Sequence, residues 1–314
     1  MFLHIVRRLG ASLPTLFLVS VLIFLLLRLV PGDPAQLLLG DLATEQSLAR
    51  VRQQMGLDLP WPQQYLIWTG QVLQGDFGRS IQTGQEILPL ILRRFGVTLS
   101  IVAVAIVIAA LIAIPVGMIA AWKQNSRLDV GLVAISTLLL SIPSFWMGLL
   151  LLLFFGLHLG WLPVVGYVSL AENFQRGLLY LIMPVITLVL VESGTLVRMM
   201  RSSTLEVLRL DYISHARAKG VGERTVLARH AFPNAFGPTL TLLGIMLGNL
   251  LSGIAVVETV FTLPGLGRLL VEGIYARDYP VVQGCMLFIA ALYILVNIVI
   301  DAIHPLFDPR VKDT

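Results

Sequence analysis

Charged residues interrupt the chain at intervals, and between them run six apolar stretches: residues 9–30, 97–121, 130–157, 178–197, 236–257 and 281–302. A helix that crosses a bilayer needs about 20 consecutive, mostly apolar residues, and each stretch meets that length. The alternation of apolar and polar positions that marks a membrane β-strand is absent. The pattern predicts an all-α integral membrane protein with six transmembrane helices.

The polar segments between the stretches are sorted by charge. Lys and Arg are held on the cytoplasmic side when they lie in short loops near span ends. Arg7 and Arg8, the turn from Lys123 to Arg127, the segment 198–229, and Arg310 with Lys312 carry such cations, which predicts both termini in the cytoplasm. The opposite loops hold Glu172 with Arg176, and then Glu258, Arg268, Glu272, Arg277 and Asp278. Arg93 and Arg94 run against this assignment, at the end of an external segment too long for the rule to apply. No small-x-small cleavage site precedes Pro31, so the first stretch reads as an uncleaved span. With no internal repeat or linker, residues 1–314 read as one membrane domain. It carries an external elaboration at about 31–96 and a polar cytoplasmic loop at about 198–235. Within the elaboration, EQSLARVRQQM at 45–55 predicts a short amphipathic helix stopped by Gly56, Pro60 and Pro62, with Trp61, Tyr65 and Trp68 suited to a membrane interface.

Composition narrows the picture. The chain is 57% hydrophobic and 13% charged, against roughly a quarter charged in soluble domains, so water is not its main solvent. The formal charge of +4 comes from cations beside spans rather than from one soluble face, which argues against nucleic acid as a partner and for membrane lipid. Cys285 is the only cysteine and lies inside the sixth stretch, so no intrachain disulfide or CxxC site can form. His158, His215, His230 and His304 are scattered rather than spaced as ligands, and no metal site is expected. GxSxG and HExxH are missing, and no catalytic residue is assigned.

The most informative segment is TLEVLRLDYISHARAKGVGERTVLARHAFPNA at 204–235. Ile213, Ala216 and Ala218 favour a helix ending at Lys219, a cation suited to the negative end of the dipole, with Gly220 as the left-handed stop. A second helix is expected to begin near Gly222 or Glu223, with Glu223 and Arg224 in its first turn, an apolar patch at Val226 and Leu227, and Pro233 blocking continuation into the fifth span. Such an elbow, with small residues on one surface, suits a groove on a partner protein. The seven Lys and Arg residues between 198 and 235 equally suit an amphipathic connector lying on anionic lipid. Both readings stand on these residues alone.

At this elbow the sequence resembles the inner-membrane permeases of binding-protein-dependent ABC importers. Their shared motif runs Glu-Ala-Ala, three residues, Gly, nine residues, Ile-x-Leu-Pro. Gly220 and Pro233 have the spacing this requires, and Ala216 matches the second alanine; Ser214, His215, His230 and Phe232 depart from the pattern. The form around Tyr212, Ala216, Arg217, Ala218, Lys219 and Gly220 is similar to the dipeptide, oligopeptide and nickel branch. LRLVPGDPA (27–35), GLDLPWPQQYLIW (56–68), GDFGRS (75–80), SIPSFWMGLLL (141–151) and ETVFTLPGLGRLLVEGIYARDYPVVQG (258–284) extend the resemblance along nearly the whole chain.

The resemblance implies a type I ABC importer permease fold in a bacterial inner membrane. It implies a pore-forming subunit for peptides or nickel chelates, working beside a homologous second permease, two ATP-binding subunits that hold the ATP and Mg²⁺, and a periplasmic or lipid-anchored solute-binding protein. Tyr212, Ala216, Arg217, Ala218, Lys219, Gly220, Glu223, Arg224, Val226 and Pro233 would then form the surface that docks on an ATPase. The outer loop, with Pro264, Gly265, Arg277, Asp278 and Tyr279, would meet the binding protein.

Within the spans, Pro115, Pro143 and Pro184 each remove a helix hydrogen bond and favour a kink, and Ser141 and Ser144 are placed to take up backbone groups freed near Pro143. Glu192 and Asp301 are intramembrane carboxylates, costly unless paired or facing water. With Ser141 and Pro143 they are the candidates for a translocation pathway. A secondary transporter of small solutes is the competing reading. It would show an inverted repeat and discontinuous spans, and the sequence displays neither.

Overall fold

The structure, a computed structural model, describes residues 2–29, 34–39, 43–54 and 56–307. Met55, Arg310 and Lys312 lie outside the described residues, as do the side chains of His4, Arg7, Arg8, Asp301 and His304. The helices are α1 (Phe2–Leu29), α2 (Pro34–Leu39), α3 (Glu45–Gln54), α4 (Trp61–Leu73), α5 (Ile87–Trp122), α6 (Arg127–Ser141) and α7 (Ser144–Leu151). They continue with α8 (Phe174–Leu208), α9 (Asp211–Ala218), α10 (Glu223–Thr225), α11 (Phe232–Gly253), α12 (Ala255–Val260), α13 (Leu266–Tyr275) and α14 (Tyr279–Phe307). Two π-helical turns, Leu152–His158 and Val226–Ala231, continue α7 and α10. Among the described residues the β structure is one isolated bridge between Arg79 and Glu86.

Among the described residues, four helices are long and apolar enough to cross a membrane: Ile87–Trp122, Phe174–Leu208, Glu223–Gly253 and Tyr279–Ile300. The third apolar stretch is not the continuous span its hydropathy suggests. It is two helices, Arg127–Ser141 and Ser144–His158, meeting at 97°. The cause is local: Ile142, forced out of the helical region by the proline after it, is extended at φ −90° and ψ 120°, and Pro143 follows at φ −59° and ψ 141°. The Ser141 hydroxyl donates to the Thr137 carbonyl at 2.9 Å, inside α6 rather than across the break. In α1 the apolar portion is the shorter Gly10–Leu26. Pro115 and Pro184, by contrast, lie within unbroken helices.

The body is organised on α5 and α8. Lipid gives apolar side chains no reason to leave it, so helices associate where small residues let backbones approach. In α5 that stripe is Ala105, Ala109, Ala113 and Gly117, one residue every turn and all buried. A Cβ on Gly117 would sit 2.7 Å from the Val197 carbonyl oxygen of α8. On another face of α8, a Cβ on Gly194 would sit 2.6 Å from the Ser136 carbonyl oxygen of α6. The opposite faces, with Leu111 70% and Leu138 61% exposed, are apolar as an acyl-chain boundary requires. Val97, Ile101, Leu181, Leu188, Leu251, Ile254 and Phe261 fill one core between α5, α8 and α11–α12.

The loops that share a charge signature also share an end of the bundle. Asp129 beside the Lys123–Arg127 turn contacts Arg201, and the elbow packs beneath it on Ile114, Met118 and Met200. At the other end Ser80 meets Asp278, Thr98 meets Glu258, and Arg94 lies 4.0 Å from Glu272. Tyr65 and Trp68 of α4 pack on Phe24 of α1, and the Tyr65 hydroxyl is 2.7 Å from that of Ser20.

The backbone contact at Gly117 makes a direct prediction. Gly117→Val is expected to lower stability by about 1–3 kcal/mol through overpacking, read as the thermal midpoint of the purified protein. Gly131→Ala, where a Cβ meets nothing within 4 Å, is expected to leave the midpoint unchanged.

Candidate functional site

The elbow is built as a stop, a brace and a buried floor. Helix α9 ends in a left-handed turn: Gly220 has φ +81°, its N–H donates to the Arg217 carbonyl at 2.9 Å, and the Val221 N–H donates to the Ala216 carbonyl at 3.2 Å. This is the paired bonding that closes a helix through a C′ glycine. A Cβ there would meet nothing within 4 Å, so glycine is required by its φ and not by crowding. The brace is Arg217, whose Nε and Nη2 donate to the two carboxylate oxygens of Glu223 at 2.7 and 3.2 Å. Both side chains are more than a third exposed. The pair therefore adds little stability, about 0–1 kcal/mol, and its effect is to hold α9 and α10 at a set angle.

The floor is Ile213, Val226 and Ala231, all fully buried against Met200, Val207 and Ala235. Val226, expected on the docking surface, is thus interior, as is Leu227, its partner in the apolar patch. The exposed positions are Tyr212, Arg217, Ala218, Lys219, Gly220, Arg224 and Pro233, with Ala216 and Glu223 half-buried. Pro233 does not end the second helix as the sequence suggested. The wide π turn Val226–Ala231 shifts the bonding pattern, and Pro233 enters in the first turn of α11, where its missing N–H goes unneeded. One helix consequently runs from the elbow into the membrane body as Glu223–Gly253.

Two contacts at this end were not legible as pairs. Arg201 of α8 grips Asp129 with Nε–Oδ1 at 2.6 Å and Nη2–Oδ2 at 2.8 Å, and Asp129 also accepts the Asn125 N–H at 2.9 Å. Asp129 is 2% exposed, so this is a nearly desolvated, forked pair that pins the α5–α6 turn to α8. Asn234 donates to the Tyr212 hydroxyl and the His230 carbonyl, both at 3.0 Å, and the Tyr212 hydroxyl donates to that same carbonyl at 3.1 Å. The tyrosine thereby ties α9 to the root of α11.

The pathway candidates are only partly brought together. Gly194 abuts Leu140, so the α6–α7 break with Ser141 and Pro143 lies alongside the turn of α8 that carries Glu192. Ser141 and Pro143 are exposed, and Glu192 is half-buried with no hydrogen bond or ion pair among the described residues. Asp301 belongs to α14, its side chain lying outside the described residues.

On the outer side the expected binding-protein surface divides. Arg277 is exposed, at φ +54°. Asp278 turns inward: it accepts the Ser80 hydroxyl at 2.5 Å and the Ile81 and Gln82 N–H groups at 3.2 and 3.3 Å, pinning the end of the external elaboration. Tyr279 is half-buried, as is Pro264. Gly265 is buried because the Glu258 carboxylate occupies the space a Cβ would need. That carboxylate, fully buried, accepts the Thr98 hydroxyl at 2.5 Å and the Arg268 N–H at 2.8 Å, and Thr98 accepts the Leu266 N–H at 2.9 Å. Burial pushes the Glu258 carboxyl up, while Thr98 and the Arg268 and Gly267 N–H groups pull it down. The arrangement places an acid at the positive end of α13 and locks α12, α13 and α5 together.

The architecture is that of a helical protein embedded in a membrane. Comparison with known families agrees. Residues 113–313 match the binding-protein-dependent transport system inner membrane component, and residues 1–102 match the N-terminal part of the same membrane component. The chain belongs to this family. It is 39% identical over 312 residues to a probable peptide ABC transporter permease of Sinorhizobium fredii, covering 99% of this chain and all of that one. It is 38% identical to the di/tripeptide transport system permease DppB of Pseudomonas aeruginosa, covering 99% of each. It is 39% identical to the glutathione transport system permease GsiC of Escherichia coli, covering 98% of each. Among solved structures, an inward-facing MetNI methionine ABC transporter matches with a TM-score of 0.60 at 19% identity, over 70% of this chain and 97% of that one. This shows a shared fold.

Two stability predictions follow from the buried carboxylates. Asp129→Ala and Arg201→Ala are each expected to cost about 3 kcal/mol, with the double variant costing much less than the sum in a double-mutant cycle of thermal midpoints. Glu258→Ala is expected to cost about 3 kcal/mol by leaving buried donors unpaired, and a midpoint within experimental error of the unmodified protein would contradict this.

Proposed function

We propose that this chain is the pore-forming permease of an ABC importer for peptides, and that its elbow is the handle on which an ATP-binding subunit pulls. The functional assembly is this chain, a homologous second permease, two ATP-binding subunits holding ATP and Mg²⁺, and a periplasmic or lipid-anchored solute-binding protein. Six spans place both termini in the cytoplasm: the four long helices, the bent α6–α7 pair and α1. The peptide reading rests on relatives named for peptides, dipeptides and glutathione; a nickel chelate is the other cargo its sequence branch suggests.

The observation that carries the proposal is the continuity of the elbow with the membrane body. Helix α8 leads into it, and the helix that leaves it runs unbroken as Glu223–Gly253. A displacement at Tyr212–Arg224 therefore has a rigid route into α8 and α11. Closure of the two ATPases would draw the paired elbows together and rock the spans toward the outward-open state, which is alternating access. Ser141, Pro143, Glu192 and Asp301 are the proposed lining, with the bent α6–α7 pair as an irregular backbone segment of the kind tolerated beside a cavity. Arg277 and Pro264 are the proposed contacts for the binding protein.

The test is peptide uptake with the complete importer. Gly220→Pro, which is incompatible with φ +81°, and Glu223→Lys are expected to lower uptake and peptide-stimulated ATP hydrolysis at least tenfold with unchanged protein in the membrane. Pairing Glu223→Arg with Arg217→Glu is expected to restore much of the loss. Normal uptake by the single variants would refute the handle, and terminal tags reached from outside intact cells would refute the orientation.

A further inference from the structure

At the end opposite the elbow, a cavity of about 840 Å³ opens between α1, the α3–α4 turn, α4, the loop after it and the first turns of α14. Among the described residues, its walls hold a cation with no carboxylate partner and two buried donors with no acceptor. The Arg28 guanidinium lies 3.6 Å from the centre of the Phe24 ring, and its Nε and Nη2 donate to one neutral atom, Gln64 Oε1, at 3.0 and 2.7 Å. Gln64 is 8% exposed, and its amide nitrogen donates to the Leu57 and Leu59 carbonyls at 3.1 and 2.8 Å, so the face it turns to Arg28 is fixed. Among the described residues no Asp or Glu comes within ion-pair distance of Arg28. Toward the described residues, two of its five donors are used.

Also lining the cavity, the Tyr279 hydroxyl and Gln283 Nε2 are buried with no hydrogen-bond partner among the described residues, and Gln283 is only 9% exposed. They stand one turn apart on one face of α14. A donor left unpaired in a dry place is unfavourable, which is why buried donors are nearly always satisfied. The same residues begin a helix of 29 residues, whose N-terminal end favours negative charge. Asp58 and Asp76 also line the cavity, on the α3–α4 turn and the loop after α4. Asp76 is engaged with the Gly78 N–H at 2.8 Å. Arg28 and the orphan donors sit on the α1 and α14 side.

The surroundings of Arg28 are oily. Leu26 and Leu29 flank it on α1, 53% and 69% exposed, and Leu66, Ile67 and Leu73 of α4 are 68%, 50% and 87% exposed. Trp61 and Trp68 also line the cavity. A cationic, donor-rich corner beside two exposed apolar helix faces fits a headgroup with its acyl chains laid along α1 and α4.

We propose that this cavity binds a phosphate-type oxyanion through Arg28, Tyr279 and Gln283, carried by an anionic lipid headgroup or taken as free phosphate. The two sources differ in whether the apolar faces take part.

The experiment uses the full-length purified chain in detergent, read by native mass spectrometry and by thermal midpoint. Phosphatidylglycerol, phosphatidylcholine and inorganic phosphate are titrated separately. Saturable retention of phosphatidylglycerol, at least tenfold tighter than phosphatidylcholine and unaffected by millimolar phosphate, assigns the lipid source. A rise in midpoint with phosphate alone, together with displacement of phosphatidylglycerol, assigns the free anion. In either case Arg28→Met, and separately the pair Tyr279→Phe with Gln283→Leu, are expected to weaken binding at least tenfold, with Arg28→Lys intermediate. The paired substitution keeps the test open if Arg28→Met fails to fold. Equal binding by these variants and the unmodified chain, or no saturable response to any of the three probes, would overturn the proposal.

Discussion

Everything in this molecule depends on how closely α5 and α8 can approach. In a bilayer the helices gain nothing from burying leucine against leucine, since lipid tails are equally apolar. What remains is van der Waals contact between backbones, and the one-per-turn stripe Ala105, Ala109, Ala113, Gly117 provides it. With those two axes fixed, α8 becomes a platform: α6 rests on Gly194, and the elbow rests on Met200 and Val207. Residues as small as these contribute no chemistry. They set the distances at which the chemistry-bearing residues meet.

The charged residues then fasten the ends. Water solvates carboxylates well, so withdrawing one is unfavourable unless it is matched by fixed donors. Each buried carboxylate described here is matched in that way, and each match joins segments distant in sequence. Asp129 meets Arg201 across 72 positions, Glu258 meets Thr98 across 160, and Asp278 meets Ser80 across 198. The exposed pair Arg217–Glu223 is different in kind. It spans 6 positions and shapes one local turn.

Legibility in the sequence follows the same division. Local features were readable: Gly220 as a left-handed stop, the helix beginning at Glu223, and a short helix from Glu45 with Gly56 beyond its end in the left-handed region, because their causes lie within a few residues. Long-range pairs were not. Asp278 reads as an outer-surface residue beside Arg277, and only the fold shows that it faces Ser80. Val226 reads as a surface patch for the same reason, its partners being on α5 and α8. Prolines were readable as perturbations but not by degree. Pro143 turns the chain by 97°. Pro115 stays in an unbroken helix whose neighbours Ala113 and Gly117 are pressed on α8, and Pro184 is itself buried. At Pro233 a π turn one residue wider absorbs the defect. That a proline perturbs a span is a local matter, and how far the helix yields depends also on the surroundings that hold it.

The elbow's mechanical value comes from what it is joined to rather than from its own strength. A surface ion pair and a glycine turn would not by themselves resist a pull of any size. But α8 is 35 residues long, roughly 50 Å at 1.5 Å per residue, and Arg201 clamps it to the start of α6 just above the elbow. Force applied at Tyr212 or Arg224 would reach the body through α8 and α11 together, and α6 would follow α8 through Asp129. The break in the helical backbone along this route is then not at the elbow but at the extended Ile142–Pro143 link between α6 and α7. In the proposed assembly, a stiff elbow and a discontinuity alongside the turn of α8 that carries Glu192 would convert a displacement on one face into a change of exposure in the interior.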